Sequence, residues 1–396
     1  MGPEPWARAG GRLGAGSGLK TGPLIRVYPE AAGADPLVSS PPRKTMSNPP
    51  NLGIGLIGAG AMARTYCECL TKHTSGARLI AVSGGSRAPG LAADYQVAAC
   101  ATVEEMLDRP DIGAVIIATP EMRHLEQTLL AAAKGKHVLV EKPEAKEVAA
   151  CDAMIARCAQ AGVTLAVCHH WRFRSVHTRA LALVRGGRLG AVRSVTNHTL
   201  VSHESSVAGF ASRPFYLDPE CGGLLMGWAI HNFDWVRCLA GGEPTSVSAV
   251  TTSAGAWGEG SMVSKVTFAN GVAGTVDVDI TRPGSARYYF KTEITTERAR
   301  LELDGYGELR VDEGSGWKTL WTQPAFNPKD DTCPLRLEGY SLMVQAFIDQ
   351  ARGTRTPVPP DQVRSLASGR DGRMAVALFQ ASRASGASGR PVPISG

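Results

Sequence analysis

The sequence predicts an α/β chain in two parts: a parallel sheet flanked by helices, then a second α/β region in which strand follows strand. Three observations carry this prediction. A short apolar run, Leu52–Ile57, leads straight into Gly58, Gly60 and Ala63, which spell GxGxxA at the opening of a segment of helical composition. From there to residue 168, apolar runs of strand length alternate with helical stretches, the pattern of a parallel sheet covered on both faces. After Cys168 the alternation stops and strand-like runs succeed one another.

Taken in order, residues 1–50 are rich in Gly, Pro, Ala and Arg, show no helical or strand period, and are expected to be a disordered or non-native extension. Met46, just ahead of the first strand, is a candidate start, and no apolar segment with a small-residue cleavage site suggests secretion. After the strand at 52–57, the glycines let the chain turn tightly and let backbone approach a pyrophosphate seated at a helix N-terminus. Gly58, Gly60, Ala61 and Met62 are therefore expected at a dinucleotide, with Ala63 keeping helix and strand close, as in a Rossmann domain. Further strands are expected at 79–82, 114–118, 137–140 and 164–168, the last closing the sheet, with helices at 103–107, 123–134 and 147–161. Right-handed crossovers place the carboxyl ends of these strands on one edge, where a cofactor lies.

Beyond a helix at 176–185, strands are expected at 192–201, 246–252, 263–268, 271–280, 288–295, 299–303 and 309–311, then helices at 335–351 and 362–384. Asn270-Gly271 reads as a type I′ hairpin turn. The domains are thus 1–50, 51–170 and 171–396.

Composition narrows the function. The net charge is +6, but residues 1–50 hold six Lys/Arg against three Asp/Glu, half of that excess, and the remainder has no basic cluster with interleaved aromatics that would suit nucleic acid. No run is long enough to span a membrane. Nine cysteines with no CxxC fit reduced thiols in a cytoplasm better than a zinc site or a disulfide framework. His198, His203, Glu204 and the His169-His170 pair lack metal-ligand spacing, so no metal is expected.

The strand ends carry the chemistry. Where an acid would hold the ribose 2′-OH of NAD, the second strand ends in Ser83, Gly84, Gly85, Ser86 and Arg87. With no acid and an arginine available, Ser83, Ser86 and Arg87 lean toward NADP over NAD, against the alternative that Arg87 is a solvated loop charge. Thr119-Pro120 and Glu141-Lys142-Pro143 end two further strands on the ligand edge. A lysine directly after a buried strand is partly desolvated, which lowers its pKa toward values useful for proton transfer; the alternative is that Lys142 only pairs with Glu141 or Glu144. His169, His170 and Trp171 follow the last parallel strand to the same edge, as contact or as packing.

GLIGAGAMA, ATPEMRH (118–124) and GKHVLVEKP (135–143), in this order, resemble the glucose-fructose oxidoreductase, inositol dehydrogenase and rhizopine-catabolism family, written Gfo/Idh/MocA. The likeness continues through Arg172-Phe173, GRLGAV (187–192), GGLLMGWAIHNFDW (222–235) and SGRPVPI (388–394), nearly everything after residue 50. It implies a Rossmann domain followed by a mostly antiparallel, open-faced sheet whose outer face makes homodimers or homotetramers. It also implies an NAD(P)-dependent oxidoreductase acting on a hydroxyl or carbonyl of a sugar, polyol or related small polar molecule. Arg172 matches an arginine near substrate or cofactor, and His124 a histidine that supports the cofactor loop.

In the family a helix projects an Asp and, four residues on, a His toward the nicotinamide, since i and i+4 share a helical face. His231 matches the His, but the position four residues earlier is Gly227. Three readings compete. Lys142 and His231 suffice, with Lys142 exchanging the hydroxyl proton and His231 orienting the oxygen; another group enters from Asp218, Glu220, His203 or Glu204; or redox turnover is lost and binding kept. The first is favoured, with His170, Trp171, Asp218 and Asn232 expected at the substrate and Asp234 either fixing the His231 tautomer or pairing elsewhere in the helix. The competing functions are a glycosidase that uses tightly held NAD in a transient oxidation, and a non-catalytic NADP-binding regulator.

Overall fold

In a computed structural model, residues 51–202, 223–253, 258–282, 289–305, 307–326 and 332–394 are described. The expectations for residues 1–50 and for His203, Glu204, Asp218 and Glu220 lie outside them.

The first sheet contains β1 (Leu52–Ile57), β2 (Ala77–Ser83), β3 (Ala98–Cys100), β4 (Ala114–Ile117), β5 (His137–Val140), β6 (Leu165–Val167) and, from the far end of the chain, β15 (Ala367–Ser368). Its order is β15-β6-β5-β4-β1-β2-β3, parallel throughout except that β15 runs against β6. The order in which strands are added therefore reverses between β1 and β4, the point at which doubly wound sheets open a ligand crevice. β1 and β4 are fully apolar inside because helices cover both faces: α1 (Ala61–Glu68), α2 (Ala88–Asp94), α3 (Val103–Leu107), α4 (His124–Ala133) and α5 (Val148–Ala161).

The sheet does not close at residue 168 as expected. β15 extends it by one antiparallel strand, covering an edge that would otherwise present unpaired backbone groups. Two residues carry no period, so nothing in the sequence marks them as a strand. The same holds for Ala98–Cys100, whose pairing with β2 alone makes it a strand.

The second sheet has the order β14-β13-β12-β11-β7-β10-β9-β8-β16, with β7 (Val192–Ser202) and β10 (Ala273–Arg282) parallel and every other neighbour antiparallel. The others are β8 (Pro244–Ser253), β9 (Glu259–Phe268), β11 (Tyr289–Thr296), β12 (Arg300–Asp304), β13 (Glu308–Asp312), β14 (Trp317–Thr322) and β16 (Val392–Pro393). Buried and open residues alternate along β9 and β11, the signature of one packed and one open face. Helix α6 (Ser175–Arg185) precedes this sheet, and α7 (Gly223–Ala240) lies against β7 and β10. Helix α8 (Pro334–Arg352) packs on α1, and α9 (Gly369–Ser388) touches α5, β6 and β8, so it bridges both sheets.

Two local expectations are corrected. The last helix starts at Gly369 rather than 362, because Ser368 and Asp371 form a reciprocal capping box there. The hairpin at 270–271 is not type I′: Gly271 has φ +82° while Asn270 does not take a positive φ, and Gly271 N–H donates to the Phe268 carbonyl at 3.0 Å. That is a type I turn closed by a left-handed glycine. Asn270 instead spends its side chain on the Ala240 carbonyl, 2.9 Å away, at the end of α7.

Candidate active site

The turn after β1 is shaped by two close approaches. A Cβ on Gly58, at φ +117°, would fall 2.6 Å from the Ala118 carbonyl oxygen, and one on Gly84 would fall 2.8 Å from the Gly58 Cα. The turns after β1, β2 and β4 therefore touch backbone to backbone, which only glycine permits. A Cβ on Gly60 would meet nothing within 4 Å. Gly60 is the N-cap of α1 and has no capping side chain, so backbone N–H groups at the helix start face open space, the arrangement that receives a phosphate.

That space belongs to a crevice of about 970 Å³ running from these turns to α7. Gly58, Gly60, Ala61 and Met62 line it, as do Ser83 and Arg87, Thr119 and Pro120, and Glu141 and Lys142. His170, Trp171 and His231 line it too, so the expected catalytic pair and most of the expected cofactor residues share one cavity.

Lys142 is fixed on two sides. Its side-chain Nζ donates to the Gly227 carbonyl of α7 at 2.9 Å, and its main-chain N–H donates to Glu141 Oε2 at 3.0 Å. Glu141 Oε1 accepts from the Tyr66 hydroxyl at 2.5 Å, and burial, with Cys168 and Glu141 nearby, pushes the Tyr66 phenol well up. Glu121, at the turn after β4, is also buried, and that burial raises its carboxyl.

His231 is packed among rings: parallel to Trp171 at 5.2 Å, edge-on to His170 at 4.9 Å and to His169 at 5.9 Å. Burial holds its pKa well below the ordinary value, and the Lys142 charge pushes the same way, so the imidazole is neutral. His170, stacked on Tyr340 at 4.1 Å, is depressed by burial and then by Arg174 and Lys142.

Several expected residues lie elsewhere. Arg172 turns away from this crevice and grips Asp234, Nε to Oδ2 at 2.8 Å, with Asp371 3.3 Å from the same guanidinium. Asp234 is thereby committed to Arg172 rather than to the His231 ring, although three residues of helix set the two only about 60° apart on nearly the same face. Asn232, one residue past His231, points into the second sheet and donates to Asn197 Oδ1 and, at 2.5 Å, to Thr199 Oγ1. Ser86 sits exposed in the single 3₁₀ turn Gly85–Arg87, which gives Arg87 rather than Ser86 to the crevice. His124 is buried behind the wall, its ring nitrogens 2.9 Å from the Thr119 carbonyl and 3.0 Å from that of Pro143, joining two strand-end turns. Asp218 lies outside the described residues.

Sequence reasoning missed Arg174, Trp228, Phe290 and Tyr340 on the crevice wall. Arg174 had a signal, lying three residues past Trp171 at the end of the short helical segment after β6. Phe290 and Tyr340 arrive from β11 and α8, and only the folded chain brings them in.

Residues 52–169 match the family described as "Oxidoreductase family, NAD-binding Rossmann fold", and residues 177–302 match the "GFO/IDH/MocA C-terminal domain". The chain belongs to the Gfo/Idh/MocA family. It is 30% identical over 224 residues to 1,5-anhydro-D-fructose reductase of Ensifer adhaerens, an alignment covering 55% of this chain and 66% of that one. It is 29% identical over 352 residues to inositol 2-dehydrogenase 2 of Mycolicibacterium vanbaalenii, covering 87% and 94%. Its fold is that of the aldose-aldose oxidoreductase from Caulobacter crescentus complexed with glycerol, at TM-score 0.72 and 23% identity over 87% of this chain and 100% of that one.

Within this family framework the described residues contain no group of three His, Cys, Asp or Glu that could hold a metal. No helix among them is long and apolar enough to cross a membrane. The side chains on the crevice can hold or move a proton at Lys142 Nζ, orient an oxygen with a neutral imidazole, and present flat rings to a substrate.

Proposed function

We propose that this chain is an NAD(P)-dependent oxidoreductase acting on a hydroxyl or carbonyl carbon of a sugar, polyol or related small polar molecule. The observation that carries the reading is that Lys142 and His231 line the same crevice as the Gly58–Gly60 turn, with Lys142 Nζ anchored on the Gly227 carbonyl. The open space beside Gly60 suits a pyrophosphate, and a bound nicotinamide supplies or accepts the hydride. Lys142 takes the hydroxyl proton in oxidation and returns it in reduction. His231, neutral and wedged against Trp171, orients the reacting oxygen. We take residues 51–170 as the coenzyme part and 171–396 as the substrate and association part. A panel of sugars, polyols and sugar acids scored by reduced-nicotinamide absorbance tests this; absence of turnover with every member refutes it.

NADP is favoured over NAD. Arg87 lines the crevice, and the segment 83–87 contains no acid to hold a ribose 2′-OH. Turnover with NAD but not NADP would refute this choice. A non-catalytic NADP-binding role is favoured by one observation, the glycine at 227 where the family resemblance places a carboxylate. That role predicts coenzyme binding without turnover, and binding indifferent to Lys142→Met.

A cytoplasmic setting is supported by eight free thiols among the described residues, seven of them buried. Homo-oligomerisation through the outer face of the second sheet is supported by Val250 and Val263, cross-strand partners on β8 and β9 that are 70% and 40% exposed. Light scattering on Val250→Asp tests it; a mass equal to one chain in the unsubstituted protein rules it out.

A further inference from the structure

The part of the crevice between the two sheets is walled by rings. Trp171 is parallel to His231 and edge-on to Phe290 at 5.3 Å, and Trp228 tilts over Phe290 at 5.9 Å. Two cationic side chains, Lys142 and Arg174, line the same space. The Arg174 guanidinium lies over the Trp171 ring at 5.1 Å and donates from Nη2 to His170 Nε2 at 3.2 Å. His170 can accept that bond only as a neutral ring, and burial keeps it neutral, helped by the charges of Arg174 and Lys142. The imidazoles of this region therefore add no charge; Glu121 and Glu141 stand beside Lys142, and Arg174 is the cation set among the rings. Helix α7 contributes no acid to it, since one turn before His231 stands Gly227, and Asp234, nearly one turn after His231, is held by Arg172 and does not line the crevice.

We propose that the substrate carries an acidic group, a carboxylate or a phosphate, and that Arg174 receives it. Arg174 is then the residue that selects anionic sugars or polyols over neutral ones. A guanidinium offers two parallel N–H donors that match two oxygens of such a group. Its stacking on Trp171 and its bond to His170 fix the fork before the substrate arrives. Meanwhile Trp228, the partly exposed ring of this wall, offers apolar surface to the face of a sugar ring. This inference rests on the proposal that the crevice handles a sugar-like molecule, and it names the subclass.

The test reads binding, so that it stands apart from turnover. Protein saturated with coenzyme is titrated calorimetrically with matched sets: glucose, glucuronate and glucose 6-phosphate; galactose, galacturonate and galactose 6-phosphate. An acidic member is expected to bind about tenfold or more tightly than its neutral counterpart, and Arg174→Gln is expected to shrink that ratio by about tenfold or more. Arg174→Lys keeps part of the ratio, and it carries the comparison if Arg174→Gln does not fold. Whether the uronate or the phosphate is the tighter binder identifies the group. The proposal fails if neutral members bind as well as acidic ones, if no acidic member binds, or if a folded Arg174→Gln leaves the ratio unchanged. An acid that binds in an Arg174-dependent way with no absorbance change in any set upholds the anion site and defeats the hydride-transfer reading, so the two failures are separable.

Discussion

Lys142 Nζ donates to the main-chain carbonyl of Gly227 across the crevice at 2.9 Å. A side chain from the end of β5 is thus steered by helix α7 of the other part of the chain, at the residue where the family resemblance places an acid. The amine is positioned without a carboxylate from that helix position. Lys142→Met is expected to lower kcat/KM by about 10²–10⁴-fold, the worth of a positioned acid or base, with coenzyme affinity retained. Steady-state kinetics beside a coenzyme fluorescence titration check both halves.

The two glycine turns separate folding from binding. Gly60→Ala puts a methyl into open space, so thermal stability should stay within about 0.5 kcal/mol of the parent while coenzyme Kd rises about tenfold or more. Gly84→Ala, at φ +147° with backbone 2.8 Å from the new Cβ, is expected to cost about 2 kcal/mol or more of stability. Calorimetric unfolding of both variants checks the contrast. Equal Tm losses would defeat it.

Arg172 and Asp234 form a buried pair, and breaking one partner leaves the other charge stranded. Asp234→Asn is expected to lose about 3–5 kcal/mol in denaturant unfolding. Because neither residue lines the crevice, coenzyme Kd of the folded variant should move less than about twofold, well under the tenfold that 1.4 kcal/mol represents.

Acid should destabilise this protein through its buried imidazoles. Burial depresses His169, His170, His177 and His231, so below the ordinary histidine value the unfolded chain binds protons that the folded chain refuses. Their contribution is complete above about pH 6.5 and falls as pH drops, by up to about 1.4 kcal/mol per ring per pH unit. Denaturant titrations from pH 8 to 5 should show falling stability with proton uptake on unfolding; a flat profile would contradict this.

Glu144 has the opposite sign. It is 1% exposed, and burial raises its pKa well above the usual range, although the Cys151 thiol and the Arg373 backbone pull the other way. Its contribution is full below the unfolded value near 4.5 and is lost as pH rises toward the folded value. Glu144→Leu should therefore stabilise by about 1–3 kcal/mol at pH 8 and by less at pH 4. Tm measured at the two pH values decides it.

Much of this architecture was legible in the sequence, because its signals are local. GxGxxA after an apolar run, the alternation that follows it and the EKP strand end each occupy a few neighbouring residues, and they sufficed for the parallel sheet, the coenzyme edge and the positions of Lys142 and His231 in one crevice. The bare glycine at 227 was equally plain. Tertiary structure decided what depends on distant partners. β15 is a strand only because β6 has an open edge, Asn232 is spent on the second sheet and Asp234 on Arg172, and Phe290 and Tyr340 reach the crevice wall from segments far along the chain. Helical spacing tells which residues share a face, and packing alone tells which way that face looks.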